Sequence, residues 1–247
     1  MDKVQEYLGH AVALMQRVAD EQMGNIERAA DEIVTRIKEG RLVYVLGTGG
    51  HSKMLALELF HRAGGITQIS PLFPGGVGAP DNHPNSETTV GYAAKVFDYY
   101  RLSPGDVLIL TNVYGFNALT IDSVHECKRR GILSIGITSS ILAHSIPAGI
   151  AARHPSNENL CDIADIVIDA YAPPGDAVIH FDGLEPPVAA VSTFPMAFIV
   201  NALVIKIVEK QLAAGMSPEV WWSGNIKDGG ARNKPLEDKY FPRVKHL

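Results

Sequence analysis

The sequence of 247 residues is poor in cysteine and has no long apolar run. Two cysteines, Cys127 and Cys161, are too few for the disulfide framework of a small secreted domain, so we expect free thiols in a reducing compartment. No segment reaches the about 18 apolar residues of a membrane helix. The acidic residues Asp2 and Glu6 do not fit a signal peptide. These absences predict a cytoplasmic protein that does not enter a membrane.

An excess of basic charge is absent as well. Lys and Arg number 22 against 27 Asp and Glu, which gives a formal net charge of -5, and the basic residues are dispersed. A nucleic-acid-binding surface needs a basic patch, so we expect no nucleic-acid partner. The hydrophobic fraction of 46% and the charged fraction of 20% are typical of a globular protein with one sizeable core.

The stretch 41–65, RLVYVLGTGGHSKMLALELFHRAGG, predicts a buried strand, a glycine turn and a helix in direct succession. A glycine turn lets a ligand approach the backbone closely. The free N–H groups at the start of the helix favour an anion such as phosphate. The turn is therefore the first candidate binding site, and its candidate ligand-binding residues are Gly49, Gly50, His51 and Ser52.

Further apolar segments, separated by helical patterns, predict the other strands at 66–71, 107–110, 132–137 and 164–169. Strands that alternate with helices form βαβ units and hence a parallel sheet flanked by helices, an α/β fold. Ligands bind beyond the carboxyl ends of such strands. The loops 111–117 and 138–140 are therefore expected to meet the glycine turn.

The remaining segments divide the chain into three parts: an N-terminal helical arm over 1–40, the α/β domain over 41–214 and a C-terminal tail over 215–247. The arm predicts two amphipathic helices broken near Gly24. Two long loops are expected, over 72–87 and from 170 to 187. A helix is expected to start at Ser86 and Glu87 and to run through about Tyr100, and a long apolar helix is expected over 191–214. In the tail, Trp221, Trp222 and Phe241 are expected to pack on the domain or across a subunit interface, with a lid over the ligand as the alternative.

Several motifs resemble the sugar isomerase (SIS) domain, and the match covers about residues 1 to 212. The loops GTGGHS, TNVYGFN and GITSS follow the first, third and fourth predicted strands in the order found in that family. The wider match is similar to a little-characterised group of SIS proteins related to phosphoheptose isomerase. The motifs of that group occur here as His51-Ser52, Arg62 to Gly65, Arg153 to Ser156, Ala164 to Asp169 and Asn201 to Val204.

The resemblance implies a three-layer αβα sandwich around a five-stranded parallel sheet, preceded by N-terminal helices. It also implies a homodimer or homotetramer with sites near subunit boundaries, a phosphorylated sugar as ligand, and no redox cofactor. The implied activity is aldose–ketose isomerisation by general acid/base proton transfer, in which a base moves a proton between adjacent carbons.

The resemblance also assigns site residues. Glu58 matches the helix glutamate of phosphoheptose isomerase, and its apolar neighbours favour a role as the base. His51, a loop residue of the glycine turn expected to face the ligand, is the second candidate catalytic residue, and the identity of the proton-transfer partner of Glu58 stays open. The family's histidine on the last long helix has no counterpart here, and the serines of its phosphate loop are replaced by Asn112 and Tyr114. The predicted binding frame comprises Gly49, Gly50, Ser52, Thr111, Asn112, Gly115, Asn117, Ser139, Ser140 and Arg153.

Alternatives remain open at this point. The chain is either an isomerase, a phosphosugar sensor without turnover, or a lyase or etherase acting on an amino-sugar phosphate. The spacing of Glu58 and His61 suits a metal, but no second ligand pair is evident, so no metal is expected. Other candidate site residues are His83, His154 and Glu185. A dinucleotide site is disfavoured because the third glycine and the acidic residue of that motif are missing.

Overall fold

A five-stranded parallel sheet forms the centre of the molecule. The computed structural model describes residues 2–77 and 86–247. The strands are β1 (Val43–Gly47), β2 (Ile69–Leu72), β3 (Val107–Thr111), β4 (Leu133–Thr138) and β5 (Ile166–Asp169). They lie side by side in the order β2-β1-β3-β4-β5. The predicted α/β architecture is confirmed, and each predicted strand lies within about three residues of its expected position.

Helices cover both faces of this sheet and give the three layers that the resemblance implied. They are α1 (Lys3–Glu21), α2 (Met23–Lys38), α3 (Lys53–Leu59), α4 (Tyr92–Tyr100), α5 (Ala118–Arg130), α6 (Ser140–Ser145), α7 (Leu160–Ile163), α8 (Thr193–Ala213) and α9 (Gly229–Tyr240). No helix in the described part of the chain is long and apolar enough to cross a membrane.

Strand β3 shows how the sheet separates two apolar cores. Successive side chains of a strand point to opposite faces. Val107 and Ile109 therefore pack with helices α2, α3 and α8, whereas Leu108 and Leu110 pack with α4, α5 and α7. All four side chains are buried. A strand buried on both faces reads as a continuous apolar run, which is why VLIL predicted it correctly.

The two N-terminal helices break at Gln22, two residues before Gly24 and thus close to the predicted position. The side chain of Gln22 is bonded to the end of β5, since its Oε1 accepts from the backbone N–H of Asp169 at 3.2 Å. The apolar stripe of α2 is buried as expected. The stripe of α1 is buried only at its end, where Val18 is inaccessible, whereas Val4 and Leu8 are 70% and 53% exposed.

Two element boundaries differ from the sequence prediction. Helix α4 begins at Tyr92 and not at Ser86, because Gly91 adopts a left-handed conformation with φ of 83° immediately before it. Helix α3 ends at Leu59 rather than continuing to Ala63. The expected loop over 72–87 falls partly on residues 78–85, and His83 with it, which lie outside the described residues.

The predicted loop from 170 to 187 contains a two-stranded antiparallel hairpin. Its strands are β6 (Ala177–Phe181) and β7 (Leu184–Ala190). Most of β7 is exposed, and it contains two consecutive prolines. Proline has no N–H group to donate to a neighbouring strand and is confined to edge strands. The two prolines therefore favoured a loop in the sequence prediction, and the hairpin was missed.

The C-terminal tail packs on the domain. Trp221 is 4% exposed and meets the ring of His61 edge-on at 4.6 Å, and helix α9 brings Tyr240 against Leu42. Trp222 and Phe241 are exposed at 45% and 69%. Of the three predicted packing residues, only Trp221 is therefore buried on the domain. None of the three lines the cavity described below.

Candidate functional site

A cavity of about 440 Å³ lies beyond the carboxyl ends of β1 and β3. This is where a parallel sheet is expected to bind a ligand. Its walls come from the β1–α3 turn, the β3–α5 loop, the end of the hairpin and the start of α8. The lining residues are Gly49, Gly50, His51, Ser52, Glu87, Asn112, Val113, Tyr114, Phe116, Asn117, Ala152, Asp176, Ala190, Ser192 and Thr193.

The β1–α3 turn contributes main-chain donors to the cavity. Gly47 closes the strand so tightly that a Cβ there would lie 2.3 Å from the carbonyl oxygen of Ser52. Within the described residues, the backbone N–H groups of Gly49, Gly50 and His51 have no hydrogen-bond acceptor. Such unpaired N–H groups at a turn before a helix suit an anionic oxygen.

The β3–α5 loop is held by its own side chains. Asn112 Nδ2 donates to the hydroxyls of Thr48 and Thr120, both at 3.2 Å, and its Oδ1 accepts from the N–H groups of Tyr114 and Gly115 at 3.1 and 3.0 Å. Asn117 caps helix α5, donating to the Thr48 carbonyl at 2.6 Å and accepting from the Thr120 N–H at 2.9 Å. The two amides therefore build the loop.

The four loop residues of the predicted binding frame all have hydrogen bonds within the protein. Thr111 Oγ1 donates to the Ser52 carbonyl at 3.1 Å, and the Gly115 N–H is bonded to Asn112. Neither Thr111 nor Gly115 lines the cavity, whereas Asn112 and Asn117 line it with their amides engaged. These residues shape the loop, and their role as ligand donors stays a prediction.

Ser139, Ser140 and Arg153 also lie outside the cavity lining. Ser139 caps helix α6 and donates to the Ala172 carbonyl at 2.8 Å, while Ser140 donates to Asp169. Arg153 donates to the Asn157 carbonyl at 3.0 Å, and its guanidinium lies 4.8 Å from the ring centroid of Phe116. Ser139 and Ser140 thus donate within the protein, whereas Arg153 Nε is buried with no hydrogen-bond partner among the described residues. Arg153 contacts the cavity lining through the ring of Phe116.

Glu58 likewise lies outside the cavity lining. Its Oε1 accepts from Arg62 at 2.9 Å and from Asn201 of α8 at 3.1 Å, with a quarter of its side chain exposed. Glu58 therefore has a charged and a polar partner, which its apolar neighbours in the sequence did not indicate. Asn201 lies on the last long helix, the element on which the resemblance places the histidine of phosphoheptose isomerase. An amide side chain cannot transfer a proton, so Asn201 cannot replace that histidine as an acid or base. The catalytic role of Glu58 stays a prediction.

Glu87 is a cavity residue that the sequence analysis missed. Its backbone carbonyl accepts from the Leu119 N–H at 3.0 Å, which ties it to the start of α5. One carboxyl oxygen, Oε2, is buried with no hydrogen-bond partner in the described structure, and burial raises the pKa of Glu87. The sequence contained only one weak indication of a role for Glu87, namely its position where the predicted long loop meets the next predicted helix.

The charged and aromatic groups of the lining define its electrostatics. The carboxylates of Glu87 and Asp176 line the cavity, and no Lys or Arg does within the described residues. Asp176 accepts from the N–H of Ser192 at 2.8 Å. Burial, and secondly the charge of Asp176, raise the pKa of Tyr114, whose ring meets Phe116 edge-on at 5.6 Å. An anionic ligand would therefore rely on N–H groups and hydroxyls.

A second cavity, of about 380 Å³, lies at the opposite end of the sheet. It is bounded by the start of β1, the end of α4 and the chain after α9. Its lining is basic, with Asp106 as its carboxylate within the described residues. The basic residues that line it are Arg41, Arg101, Arg243 and Lys245.

The fold and the position of the main cavity agree with a comparison against known families. A model of the SIS domain matches residues 6–139, which is more than half of the chain. This chain belongs to the SIS domain family. The UPF0309 protein of Brucella canis is 32% identical over 244 residues, which are 98% of this chain and 97% of that protein. The expected SIS membership is thus confirmed.

Solved structures share the SIS fold at low sequence identity. Phosphoheptose isomerase from Neisseria gonorrhoeae is 15% identical with a TM-score of 0.52, over 84% of this chain and 98% of that one. The NanR protein of Vibrio vulnificus, solved in complex with ManNAc-6P, is 14% identical with a TM-score of 0.53, over 98% of this chain and 69% of that one. At such identities the likeness establishes the fold and leaves the activity to be tested.

Proposed function

We propose that this SIS protein binds a phosphorylated sugar in the carboxyl-end cavity and isomerises it between aldose and ketose, with Glu87 as the general base. One observation carries this proposal: the buried Glu87 Oε2 has no partner among the described residues and belongs to a side chain that lines the cavity. A carboxylate kept unpaired by burial is costly and is typical of a catalytic acid or base.

The phosphate is assigned to the β1–α3 turn. Three N–H groups with no acceptor among the described residues and the Ser52 side chain are available there, and the helix start supplies positive potential. Support for a sugar phosphate comes from the family and from two neighbours, one named as a phosphoheptose isomerase and one solved with ManNAc-6P. A phosphate held in this way needs no Lys or Arg in the lining.

In the proposed reaction, Glu87 removes the proton from C2 of the open-chain aldose. The C–H electron pair forms the C1–C2 double bond, and the carbonyl oxygen O1 takes up a proton, which gives an enediol. Glu87 then returns its proton to C1 while O2 loses its proton and becomes the ketose carbonyl. The raised pKa of Glu87 suits both halves of this exchange, because a base works best when its pKa approaches the working pH.

His51 is the proposed partner that serves the two oxygens. Its side chain is exposed at the cavity lining, beside the glycine pair. Imidazole can donate to one oxygen and accept from another near neutral pH. His51 therefore keeps its predicted role, whereas the role of base passes from Glu58 to Glu87.

The first test is a thermal-shift screen with C4 to C7 sugar phosphates and the matching free sugars. A ligand present at 100 times its dissociation constant adds about 2.7 kcal/mol to the native state, which is measurable. We expect one sugar phosphate, and not its free sugar, to raise the melting temperature. An equal shift from both would contradict the phosphate assignment.

The second test separates the two glutamates. With the identified sugar phosphate in D2O, deuterium entering C1 or C2 is followed by NMR for the wild type, Glu87→Gln and Glu58→Gln. We expect Glu87→Gln to slow exchange about 10²- to 10⁴-fold with affinity retained, and Glu58→Gln to exchange normally. The reverse pattern would assign the base to Glu58. Binding without exchange in the wild type would indicate a sensor, and a released fragment in place of an isomer would indicate a lyase or etherase.

A further inference from the structure

Three metal-ligating side chains meet away from both cavities, where helix α6 approaches helix α7. His144 lies in the last turn of α6, and Cys161 and Asp162 are consecutive in α7. His144 Nε2 lies 3.0 Å from Asp162 Oδ1 and 3.7 Å from Cys161 Sγ, and Cys161 Sγ lies 3.6 Å from Asp162 Oδ1. The three groups thus form a closed triangle of one nitrogen, one sulfur and one oxygen.

The size of this triangle matches one face of a tetrahedron around a metal ion. Bonds of about 2.0 to 2.3 Å place two tetrahedral ligand atoms about 3.3 to 3.8 Å apart. Both distances that involve sulfur, 3.7 and 3.6 Å, fall within that range. The nitrogen–oxygen distance of 3.0 Å needs to open by only a few tenths of an ångström, which exposed side chains can do.

Neighbouring residues already orient the carboxylate ligand. Asn159 Nδ2 donates to Asp162 Oδ2 at 2.8 Å, and Arg153 in turn donates to Asn159 Oδ1 at 2.5 Å. Leu160, at the start of α7, is fully buried, and its N–H donates to the Gly115 carbonyl at 2.7 Å. Partners behind the ligands fix their orientation and raise the affinity of a metal site.

We propose that His144, Cys161 and Asp162 form a binding site for a divalent transition-metal ion of the zinc type. Thiolate and imidazole together favour zinc over calcium or magnesium, which prefer all-oxygen ligands. Three protein ligands leave the fourth tetrahedral position to water or to another ligand. His144 and Asp162 are exposed, so an ion can enter from solvent.

Cobalt(II) provides a spectroscopic test on the full chain, because a cobalt–thiolate bond gives a near-ultraviolet charge-transfer band. We expect the wild type to develop this band on titration with Co²⁺, to lose it when excess Zn²⁺ is added, and to lack it in Cys161→Ser. Cys127→Ala is the matched control, since Cys127 is the other cysteine and is buried in α5. It should keep the band.

Two further variants locate the other ligands. His144→Ala should abolish tight binding, whereas His125→Ala removes a histidine paired with Glu158 and should leave binding unchanged. Asn159→Ala should weaken binding about 10- to 100-fold. Melting curves without metal establish that each variant is folded. The proposal is overturned if the wild type shows no thiolate band, or if Cys161→Ser or His144→Ala binds as tightly as the wild type.

Discussion

The cavities at the two ends of the central sheet have similar volumes and opposite side-chain charge. The carboxyl-end cavity, of about 440 Å³, is lined by two carboxylates and by no Lys or Arg among the described residues. The amino-end cavity, of about 380 Å³, is lined by three arginines and a lysine. Judged by side chains alone, a phosphate would bind at the amino end, opposite to the place where parallel sheets bind ligands.

The backbone resolves this conflict. Helices that follow parallel strands begin at the carboxyl end of the sheet, so their positive N-termini gather there and their negative C-termini gather at the amino end. The amino-end cations neutralise carbonyl oxygens, since Arg243 donates to the Gly40 carbonyl at 2.7 Å and Arg41 to the Pro104 carbonyl at 3.0 Å. The side-chain charge at each end of the sheet is thus opposite to the charge of the backbone dipoles there. At the carboxyl end, the N–H groups of Gly49, Gly50 and His51 have no acceptor among the described residues.

The largest expected effect comes from removing the side chain that frames the carboxyl-end cavity. Asn117→Ala deletes the cap of α5 and leaves the buried Thr48 carbonyl and Thr120 hydroxyl with fewer partners. We expect a loss of about 3 kcal/mol in the free energy of unfolding, measured by urea denaturation. Asn225→Ala, on an exposed turn of the tail, is the control. An equal and small effect for both would show that the network does not hold the loop.

A slightly smaller effect is expected at Gly115, where the loop turns with φ of 64°. A Cβ there would lie 2.6 Å from Thr138 Oγ1 and 3.0 Å from Leu160 Cβ. Gly115→Ala should therefore cost about 2 kcal/mol, through backbone strain and overpacking. Gly50→Ala has open space around its Cβ and should change stability by less than about 0.5 kcal/mol. The melting temperature of Gly115→Ala should therefore fall clearly below that of the wild type, whereas the melting temperature of Gly50→Ala should stay close to it.

Glu87→Gln removes a negative charge from the carboxyl-end cavity. Because burial raises the folded-state pKa of Glu87, its contribution to stability is fully present below about pH 4.3 and is lost as the pH rises through the folded-state pKa. The variant should therefore be more stable than the wild type at pH 7 to 8, by at most about 1 kcal/mol after solvent screening.

That advantage should disappear towards pH 4, as followed by melting temperatures from pH 4 to 8. Glu185→Gln, on the exposed strand β7, should show no such trend. A destabilised Glu87→Gln at pH 7 would mean that the carboxylate has a partner in solution.

The smallest effect is expected at the amino-end cavity. Arg101→Asn removes one of its cations and keeps a residue that tolerates the left-handed conformation, φ of 60°, at the end of α4. Affinity for the sugar phosphate, measured by calorimetry, should change less than about twofold, because the charge is remote and screened. A tenfold loss of affinity would indicate that the phosphate binds in the amino-end cavity.

The sequence predicted the sheet well because its signals are strong. Runs such as VLIL are buried on both faces, and the glycine turn after β1 is enforced by the contact between Gly47 and Ser52. The position of the cavity followed from the parallel topology. These features depend on short stretches of chain and on general rules of packing.

The details that escaped prediction depend on long-range contacts. Nothing in the sequence shows that Thr48 and Thr120 occupy the amides of Asn112 and Asn117. The carbonyl of Glu87 is bonded to the start of α5, 32 residues later in the chain, which helps to place Glu87 at the cavity. Local patterns carry no information about such pairs.

The C-terminal tail covers part of one edge of the central sheet. Strand β2 is an edge of the sheet, and unpaired edges invite pairing with other molecules and aggregation. Here the chain around Val220 runs antiparallel to that around Ile66, with the Trp221 N–H donating to the Gly65 carbonyl at 2.9 Å and the Thr67 N–H donating to the Glu219 carbonyl at 3.0 Å. The segment before β2 is thereby covered by the chain itself, which protects this approach to the edge from strand addition.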